Sequence, residues 1–432
     1  MGRRLQCSFR RMLSAGSFPE GDMTWTTESA GAVFVDPQAY ADLDRFLGAC
    51  AFLRRHAPVV RVEHEDFRPF WALTRHADIV EVLRDPARFL SGPRIVLAPS
   101  RFESNAKGRP DSLIQMDGPR HTVYRRIVSD WFTPRAMRKL EDDVAFLARR
   151  FVDRMADFGE ECDFVKDVAR AYPLQIILSM LGFPEKDYDE LLRLTLQSLG
   201  MLDEDLRRSA GSAGQAGVIA DLMGYFTAAA QDRRERPTDD LASAIAQARV
   251  DGQPLPVSEV AAYYMLLVTA GHDTTTSTIS GGLKALIEHP DQQHLLRSRP
   301  DLLPQAADEI LRWVTPTKEF MRTATEDCTI ADVKIAAGDS LYLSYQSANR
   351  DEEVFDSPDR FDIGRSPNRH LAFGHGVHHC LGAPLARMEI RAFLAEFLPR
   401  VDHLEITGQA PLSASLFVSG LKQLPIRYRM AG

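Results

Sequence analysis

One long helical pattern, residues 258–289 (SEVAAYYMLLVTAGHDTTTSTISGGLKALIEH), constrains the fold more than any other feature. It opens with Ser258 as the expected N-cap and the acidic Glu259 in its first turn. At 1.5 Å per residue this helix would be about 48 Å long, enough to cross the whole molecule. Its first half is apolar on nearly every side, so we expect it to be buried.

The middle of this pattern is poorly suited to a helix. Gly271 and the five Thr and Ser residues at 274–278 are weak helix formers, and their hydroxyls compete for backbone hydrogen bonds. Such residues in a buried helix predict a distortion that serves function. Asp273 beside Thr274, an acid next to an alcohol, could relay protons to a group bound beside the helix. The residues alone favour equally a hydroxyl-rich helix whose threonines bond to the preceding turn and whose Asp273 is salt-bridged.

A second feature is the glycine-rich loop Phe373–Gly382, FGHGVHHCLG, which leads into an amphipathic helix from Pro384. A cysteine just before a helix N-terminus, such as Cys380, is a candidate thiolate because the helix dipole and free N–H groups stabilise its charge. Glycines let the backbone turn tightly around the sulfur and let a flat cofactor approach closely. The alternative is a helix-capping loop with a buried structural cysteine.

Two further pairs have helical spacing. His121 and Arg125, at i and i+4, share one face of a helix predicted to open near Pro119, and two such donors suit a pair of ligand carboxylates. The alternative for this pair is a solvated basic face. Glu309 and Arg312, at i and i+3, form a common type of surface pair that carries no function by itself.

The composition excludes several classes of protein. A formal net charge of -8, without a dense basic block, argues against nucleic acid as a partner. The five cysteines are scattered and include no C-x-x-C pair, which suits a reducing compartment and excludes a disulfide scaffold or a cysteine-rich metal site. No run of about 18 apolar residues is present, so we expect no membrane anchor and a cytoplasmic protein.

Residues 1–22 differ from the remainder because they are rich in arginine and carry no acid before Glu20. That composition is typical of a transit peptide. We favour a disordered tail, or an upstream start codon with Met23 as the true beginning. The expected organisation is therefore a tail, residues 1–22, and a single catalytic domain, residues 23–432.

Together these motifs resemble those of the cytochrome P-450 family. The loop matches F-G-x-G-x-H-x-C-x-G, residues 270–275 (AGHDTT) match (A/G)-G-x-(D/E)-T-T, and residues 309–312 (EILR) match E-x-x-R. The resemblance extends over nearly all of residues 40–430. It implies a mainly α fold with small β-sheets, an α-rich triangular prism around a buried haem.

The resemblance also implies a role for each matching residue. Cys380 would be the axial thiolate ligand of the iron in heme b (iron protoporphyrin IX), and basic side chains would bind its two propionates. The implied cofactor-binding residues are Cys380, His121, Arg125, Arg322, His378, Phe373 and Gly374. Asp273 and Thr274 would be catalytic, on the distal side. Glu309, Arg312 and Arg360, the last from residues 358–361 (PDRF), would form a structural triad.

Substrate recognition is expected from four largely apolar places. They are the loop 91–118, the helix face around Ala270, the segment Thr315–Phe320 with Thr317, and the turn Leu416–Val418 with Phe417 and Val418. Lys318 and Glu319 are exceptions that the sequence leaves unplaced. A compact hydrophobic substrate is implied, either a monoterpenoid or a substituted aromatic hydrocarbon. Within the family, residues 320–325 (FMRTAT) and 343–355 (LSYQSANRDEEVF) most resemble the bacterial terpineol hydroxylase subgroup.

The implied activity is hydroxylation by a monooxygenase that uses O2 and electrons from outside, since the chain has no flavin or iron–sulfur motif. Resemblance to bacterial members implies a ferredoxin with its NAD(P)H-dependent ferredoxin reductase. Arg120, Arg126 and Arg387 are expected on the face that attracts this acidic partner.

Two other functions compete with this interpretation. One is a haem-thiolate peroxygenase or a gas sensor, which the intact Asp273–Thr274 pair disfavours. The other is a zinc module built from His375, His378, His379 and Cys380, which lie too close in sequence to form a tetrahedral site easily.

Overall fold

The computed structural model describes residues 25–103, 111–199 and 212–431. The predicted tail, residues 1–22, lies outside the described residues, and so do residues 104–110 of the predicted binding loop. Within the described parts of the chain, no helix is both long and apolar enough to cross a membrane.

Helices dominate the structure, as expected. They are α1 Thr27–Gly31, α2 Pro37–Ala41, α3 Leu43–His56, α4 His76–Arg84, α5 Ser100–Glu103, α6 Gly118–Ser129, α7 Pro134–Met155, α8 Ala171–Met180, α9 Tyr188–Leu199, α10 Ser212–Glu235, α11 Leu241–Ala246, α12 Val257–Glu288, α13 Pro290–Ser298, α14 Leu303–Val314, α15 Tyr345–Ala348 and α16 Ala383–Phe397. A π-helical turn, Phe164–Ala169, precedes α8.

The strands are short and form small sheets. They are β1 Val59–His64, β2 Phe67–Leu73, β3 Phe89–Leu90, β4 Glu161–Asp163, β5 Arg249–Val250, β6 Gln253–Pro254, β7 Glu319–Ala324, β8 Cys328–Ile330, β9 Val333–Ile335, β10 Ser340–Ser344, β11 Val401–Ile406 and β12 Pro425–Met430. In the largest described sheet the order is β1-β2-β10-β7-β3, with β2 and β10 parallel and the other pairs antiparallel. This sheet brings β7 and β10 together, which places Phe320 and Tyr345 in ring contact at a centroid distance of 6.1 Å.

The long helix predicted at 258–289 is α12, and it is buried along most of its length against α8, α10 and α14. Its glycines explain the close packing: a Cβ at Gly282 would lie 2.5 Å from Ile310 of α14, and one at Gly281 would lie 2.8 Å from Val314. The predicted N-cap was wrong, because Pro256 occupies that position and makes no side-chain cap hydrogen bond. A helix this well packed draws its stability from tertiary contacts and does not depend on a cap.

The predicted distortion in the middle of α12 was also wrong, because the helix is continuous from Val257 to Glu288. The hydroxyls of Thr274, Thr278 and Ser280 each donate to the carbonyl oxygen four residues earlier, at 2.6–2.7 Å. These carbonyls accept a side-chain bond in addition to the helical one, so the hydroxyls are satisfied without breaking the helix.

The Glu309–Arg312 pair on α14 is a buried ion pair with both side chains at 0% exposure. Arg312 Nε and a second guanidinium nitrogen donate to the two carboxylate oxygens of Glu309, each at 2.8 Å. The Arg360 prediction was wrong. Its side chain is exposed, and only its backbone carbonyl takes part, accepting from Arg312 and Arg365.

Arg365 is the third partner of Glu309. Its Nε lies 3.1 Å from one carboxylate oxygen, and its side chain is 9% exposed. Asn368 also donates to Glu309, at 3.1 Å. The backbone turns between residues 360 and 365, so the later arginine reaches inward while the earlier one faces solvent.

Arg365→Ala and Arg360→Ala should therefore differ in stability. Arg365→Ala removes one cation from a buried carboxylate and should lower the free energy of unfolding by about 3 kcal/mol. Arg360→Ala keeps its carbonyl and should change it by less than about 0.5 kcal/mol. Denaturant unfolding of the two variants and wild type measures both values, and equal losses would contradict the assignment of Arg365.

Candidate active site

A cavity of about 230 Å³ lies beside the middle of α12. One wall is α12, from Leu266 to Thr278, and the opposite wall is the glycine-rich loop with the start of α16. Residues of α6 and β7 close the sides. The cavity therefore separates the two sequence features that the motifs single out.

The glycine-rich loop holds Cys380 at the cavity. The Cys380 N–H donates to the Phe373 carbonyl at 2.9 Å, which closes the loop on itself. Gly376 has φ = 73°, and a Cβ there would collide with the Leu83 carbonyl of α4, so only glycine fits. The thiol of Cys380 opens into the cavity, where Phe373 and Gly374 also line the wall.

The surroundings of Cys380 act on its pKa in two directions. Burial raises the pKa of the thiol, whereas the backbone N–H groups of Gly382 and Ala383 and the cations Arg125 and Arg387 lower it. Those N–H groups belong to the start of α16, which is where an anion is stabilised. The site can therefore hold a thiolate once a cation in the cavity offsets the burial.

Four basic side chains meet at one edge of the cavity: His121, Arg125, Arg322 and His378. The imidazole rings of His121 and His378 lie 4.1 Å apart between centroids. Arg125 donates to the His379 carbonyl at 2.7 Å, and Arg322 donates to the Met321 carbonyl at 2.7 Å. The four residues come from α6, β7 and the glycine-rich loop, so the fold assembles the predicted cluster.

This cluster carries positive charge that no protein carboxylate neutralises directly. Within the described residues, neither Arg125 nor Arg322 forms an ion pair, although Arg322 is only 4% exposed. Burial, followed by the charges of His121, Arg322 and Arg125, lowers the pKa of His378 to about 3. Because an unpaired buried cation is costly, the cluster indicates an anionic ligand.

The residues present fit a haem. A cysteine thiol enters the cavity from one wall, uncompensated cations stand at one edge, and apolar side chains form much of the remaining surface. The cations suit carboxylates by charge-assisted hydrogen bonds. A neutral cofactor would leave Arg322 unpaired.

On the α12 wall, Ala270 and Thr274 line the cavity, and the Thr274 hydroxyl donates to the Ala270 carbonyl at 2.7 Å. Asp273 does not line it. Burial raises the pKa of Asp273 to about 6, and the positive charge of Arg170, which follows the π-helical turn, partly opposes that shift. The two residues of the predicted relay therefore face different sides of α12, one the cavity and the other Arg170.

His272 fixes α12 against the same segment. Its Nε2 lies 2.8 Å from the Arg170 carbonyl, and the Thr276 hydroxyl donates to the Ala169 carbonyl at 3.2 Å. Burial lowers the pKa of His272 to about 4, so its ring is neutral and Nε2 is the donor. The sequence did not predict this contact, because His272 occupies the variable position x of the motif (A/G)-G-x-(D/E)-T-T.

Two of the four residues predicted to contact substrate line the cavity, and two do not. Ala270 and Thr317 line the cavity, together with Ile95 and Phe320. Phe417 and Val418 do not reach it. Phe417 packs edge-on behind Phe320 at a centroid distance of 5.5 Å, and Val418 pairs with Thr317 through the backbone. The C-terminal turn therefore packs behind Thr317 and Phe320, which form the cavity wall.

Tyr345 is a cavity residue that the motifs do not reveal. It is 1% exposed, lines the cavity beside Phe320, and a Cβ on Gly374 would lie 3.5 Å from its hydroxyl. Tyr345 begins α15 directly after β10 and belongs to the same core cluster as Leu341 and Leu343 of that strand.

The histidines of the loop do not converge on Cys380. His375 accepts from Arg84, His378 bonds to Ser91 at 2.9 Å, and His379 packs beside Phe373. In the described parts of the chain no group of three His, Cys, Asp or Glu side chains is arranged to hold a metal ion. The zinc module therefore finds no support.

Comparisons with known proteins agree with this site. Residues 51–301 and 298–429 match the family model Cytochrome P450. The chain is 40% identical over 411 residues, 91% of its length, to Cytochrome P450-terp of a Pseudomonas species, covering 96% of that protein. It is 39% identical over 392 residues, 88% of its length, to the methyl-branched lipid omega-hydroxylase of Mycobacterium tuberculosis, covering 90% of that protein.

Solved structures give the same result for the fold. CYP108D1 from Novosphingobium aromaticivorans superposes with a TM-score of 0.86 at 39% identity, over 94% of this chain and 99% of that one. CYP268A2 of Mycobacterium marinum, in complex with pseudoionone, superposes with a TM-score of 0.85 at 34% identity, over 90% and 97%. The expected fold class is confirmed.

The pKa of Asp273 predicts a pH-dependent stability difference. Between pH 4 and 6 the unfolded chain has released the Asp273 proton while the folded protein retains it, so wild type loses stability as pH rises. The Asp273→Asn variant has no proton to release. The unfolding free energy of Asp273→Asn minus that of wild type should therefore increase by about 2 kcal/mol between pH 4.5 and 7. Urea unfolding at several pH values measures it, and a difference independent of pH would contradict the burial of this carboxyl.

Proposed function

Because this chain belongs to the cytochrome P450 family and is a haem-dependent monooxygenase, we propose that it hydroxylates a small hydrophobic substrate with O2. The substrate would be a monoterpenoid or an aromatic hydrocarbon, and the two electrons would come from a ferredoxin and its reductase. The cavity carries this proposal.

The cavity wall away from the basic edge is apolar. Ile95, Leu113, Phe132, Ile177 and Leu266 contribute aliphatic and aromatic surface from five separate parts of the chain. A ligand there gains about 25 cal/mol for each Å² of apolar surface removed from water, and a charged ligand would find no counter-ion among these five. An uncharged compact hydrocarbon therefore suits the wall.

Two relatives support the same class. One relative is named Cytochrome P450-terp, and another is solved with pseudoionone bound. Others are named for methyl-branched lipids and for steroids, which are larger. Of these names, P450-terp agrees with the monoterpenoid class proposed here.

The haem proposed for this cavity is a protoporphyrin with two propionates. Cys380 Sγ would bind its iron, and His121, Arg125, Arg322 and His378, which line the same cavity, would donate to the propionates. Bound haem supplies the activation of O2 and the electron push of a thiolate ligand. The protein supplies orientation, a water-poor cavity and protons.

Proton delivery is the role proposed for Asp273 and Thr274. The pKa of Asp273, raised by burial to about 6, lets its carboxyl exchange protons near neutral pH. Thr274 presents its Oγ1 to the cavity wall while donating to Ala270. The proposed route takes up a proton at Asp273 and delivers it to the cavity beside Thr274 Oγ1.

Spectroscopic titration tests the substrate class. Monoterpene alcohols, p-cymene and other alkylbenzenes should shift the haem spin state of the holoprotein with dissociation constants of about 1–100 μM. The Cys380→Ala variant should show no such shift and no thiolate-type spectrum of its reduced carbon monoxide complex, whereas Cys328→Ala, at a partly exposed strand residue, should match wild type. A response only to steroids or long-chain fatty acids would overturn the proposed class.

Of the three arginines predicted to attract an electron donor, the structure leaves one available. Arg120 is paired with Asp111 at 2.6 Å, and Arg387 with Asp308 at 2.7 Å. Arg126 is exposed and makes no ion pair within the described residues. Its neighbour Arg125 donates to the His379 carbonyl, so α6, which carries Arg126, contacts the loop that holds Cys380.

Arg126→Glu should slow ferredoxin-driven turnover about tenfold at low ionic strength, and less at high salt, because it reverses a charge that attracts the acidic donor. Arg236→Glu controls for the change in net charge, since Arg236 is an exposed arginine beyond the end of α10, where it pairs with Asp232. Stopped-flow reduction of the haem measures both variants. Equal rates for Arg126→Glu and wild type at low salt would contradict docking at this face.

A further inference from the structure

Lys318 and Glu319 form a buried ionisable pair behind the cavity wall. Lys318 is 1% exposed and Glu319 is 0% exposed, and neither lines the cavity, although Thr317 before them and Phe320 after them do. Both lie against the smaller core, where Lys318 contacts the Tyr40 ring and Glu319 is close to Tyr40 and Tyr342. The haem-binding and proton-delivering roles use neither residue.

Lys318 contacts the C-terminal turn. Its Nζ donates to the Ser415 carbonyl, and its ammonium lies 4.5 Å from the centre of the Tyr40 ring. The backbone N–H of Lys318 donates to the Phe417 carbonyl at 2.9 Å. The Lys318 side chain therefore holds the turn at Ser415, and the Lys318 backbone holds it at Phe417. The turn in this position places Phe417 behind Phe320.

Glu319 contacts the segment that follows β3. Its Oε1 accepts the Leu97 N–H at 2.9 Å, next to the backbone bond from the Met321 N–H to the Ile95 carbonyl at 2.8 Å. Ile95 lines the cavity, and Leu97 is buried in the smaller core. The side chain of Glu319 therefore fixes the segment that carries a wall residue, and that segment belongs to no helix or strand.

Burying the ionisable side chains of Lys318 and Glu319 costs folding free energy. Burial lowers the pKa of Lys318 to about 7 and raises the pKa of Glu319 to about 8. The second carboxylate oxygen of Glu319 has no hydrogen-bond partner within the described residues. Apolar side chains would fill the same space without this cost, so stability alone does not account for the pair.

We propose that Lys318 and Glu319 are positioning residues that set the shape of the substrate cavity. They join three segments that are distant in sequence: residues 95–97, residues 316–320 and the turn 415–418. Glu319 bonds to the segment that carries Ile95, and Lys318 bonds to the turn behind Phe320. The two contacts together fix the position of Ile95 relative to Phe320. This inference rests on the proposed function, because the proposed function assigns substrate binding to this cavity.

Binding of imidazole and 4-phenylimidazole to the holoprotein tests the proposal without knowledge of the natural substrate. Imidazole needs only access to the iron, whereas the phenyl group also needs the cavity wall. Glu319→Leu removes the acceptor for the Leu97 N–H and should weaken 4-phenylimidazole about tenfold, with imidazole changed less than about twofold. Glu319→Gln keeps an oxygen acceptor and should remain within about twofold of wild type for both ligands.

Lys318→Met is a second variant, at a different contact, and should reproduce the selective loss of 4-phenylimidazole. Met321→Leu is the matched control, because Met321 faces the same core without a side-chain hydrogen bond. Hydrogen exchange of the Leu97 amide should be about tenfold faster in Glu319→Leu and unchanged in Met321→Leu.

Equal weakening of both ligands, or unchanged exchange at Leu97, would overturn the proposal. The haem absorbance and the melting temperature are recorded for every variant, so a loss of folding is recognised separately. If monoterpenes fail to shift the spin state but the phenylimidazole series behaves as expected, the proposed substrate class fails and the positioning role stands.

Discussion

The structure depends on the uncompensated positive charge at the edge of its central cavity. Arg322 is almost fully buried and has no carboxylate partner within the described residues, and His121, Arg125 and His378 surround the same point. Such a cluster opposes folding until an anion binds between its members. Because its members come from α6, β7 and the loop before α16, the ligand that neutralises them also joins three distant parts of the chain. Binding of haem therefore contributes to folding stability as well as to chemistry.

Short local patterns predicted the elements around this cavity well. The long helix α12 and the loop before α16 lie where periodicity and glycine placed them. The basic cluster was also predicted, but from resemblance to a family, since spacing within one helix could join only His121 and Arg125. Arg322 and His378 come much later in the chain, and no local rule brings them to the same edge.

The predictions that were wrong mainly concern residues in turns, where the sequence does not determine which way a side chain points. Arg360 and Arg365 stand on either side of one turn, and only the path of that turn decides which reaches Glu309. Phe417 is apolar and close to Thr317, yet it packs behind Phe320 because the turn approaches the strand from the core side. In α12 the threonines satisfy their hydroxyls on the preceding turn, so a poor helical sequence produced no visible break.

Two buried carboxyls, Asp273 and Glu319, lie at contacts between segments that are distant in sequence. Asp273 and Glu319 both have a pKa raised by burial, but they differ in what surrounds them. Both carboxyls have cations that oppose the shift, Arg170 for Asp273 and Arg322 and Arg94 for Glu319. They differ in their other neighbours: Asp273 precedes Thr274, which lines the cavity, whereas Glu319 accepts the Leu97 N–H of another segment. Burial of a carboxyl is therefore compatible both with the proton delivery proposed for Asp273 and with the positioning role proposed for Glu319.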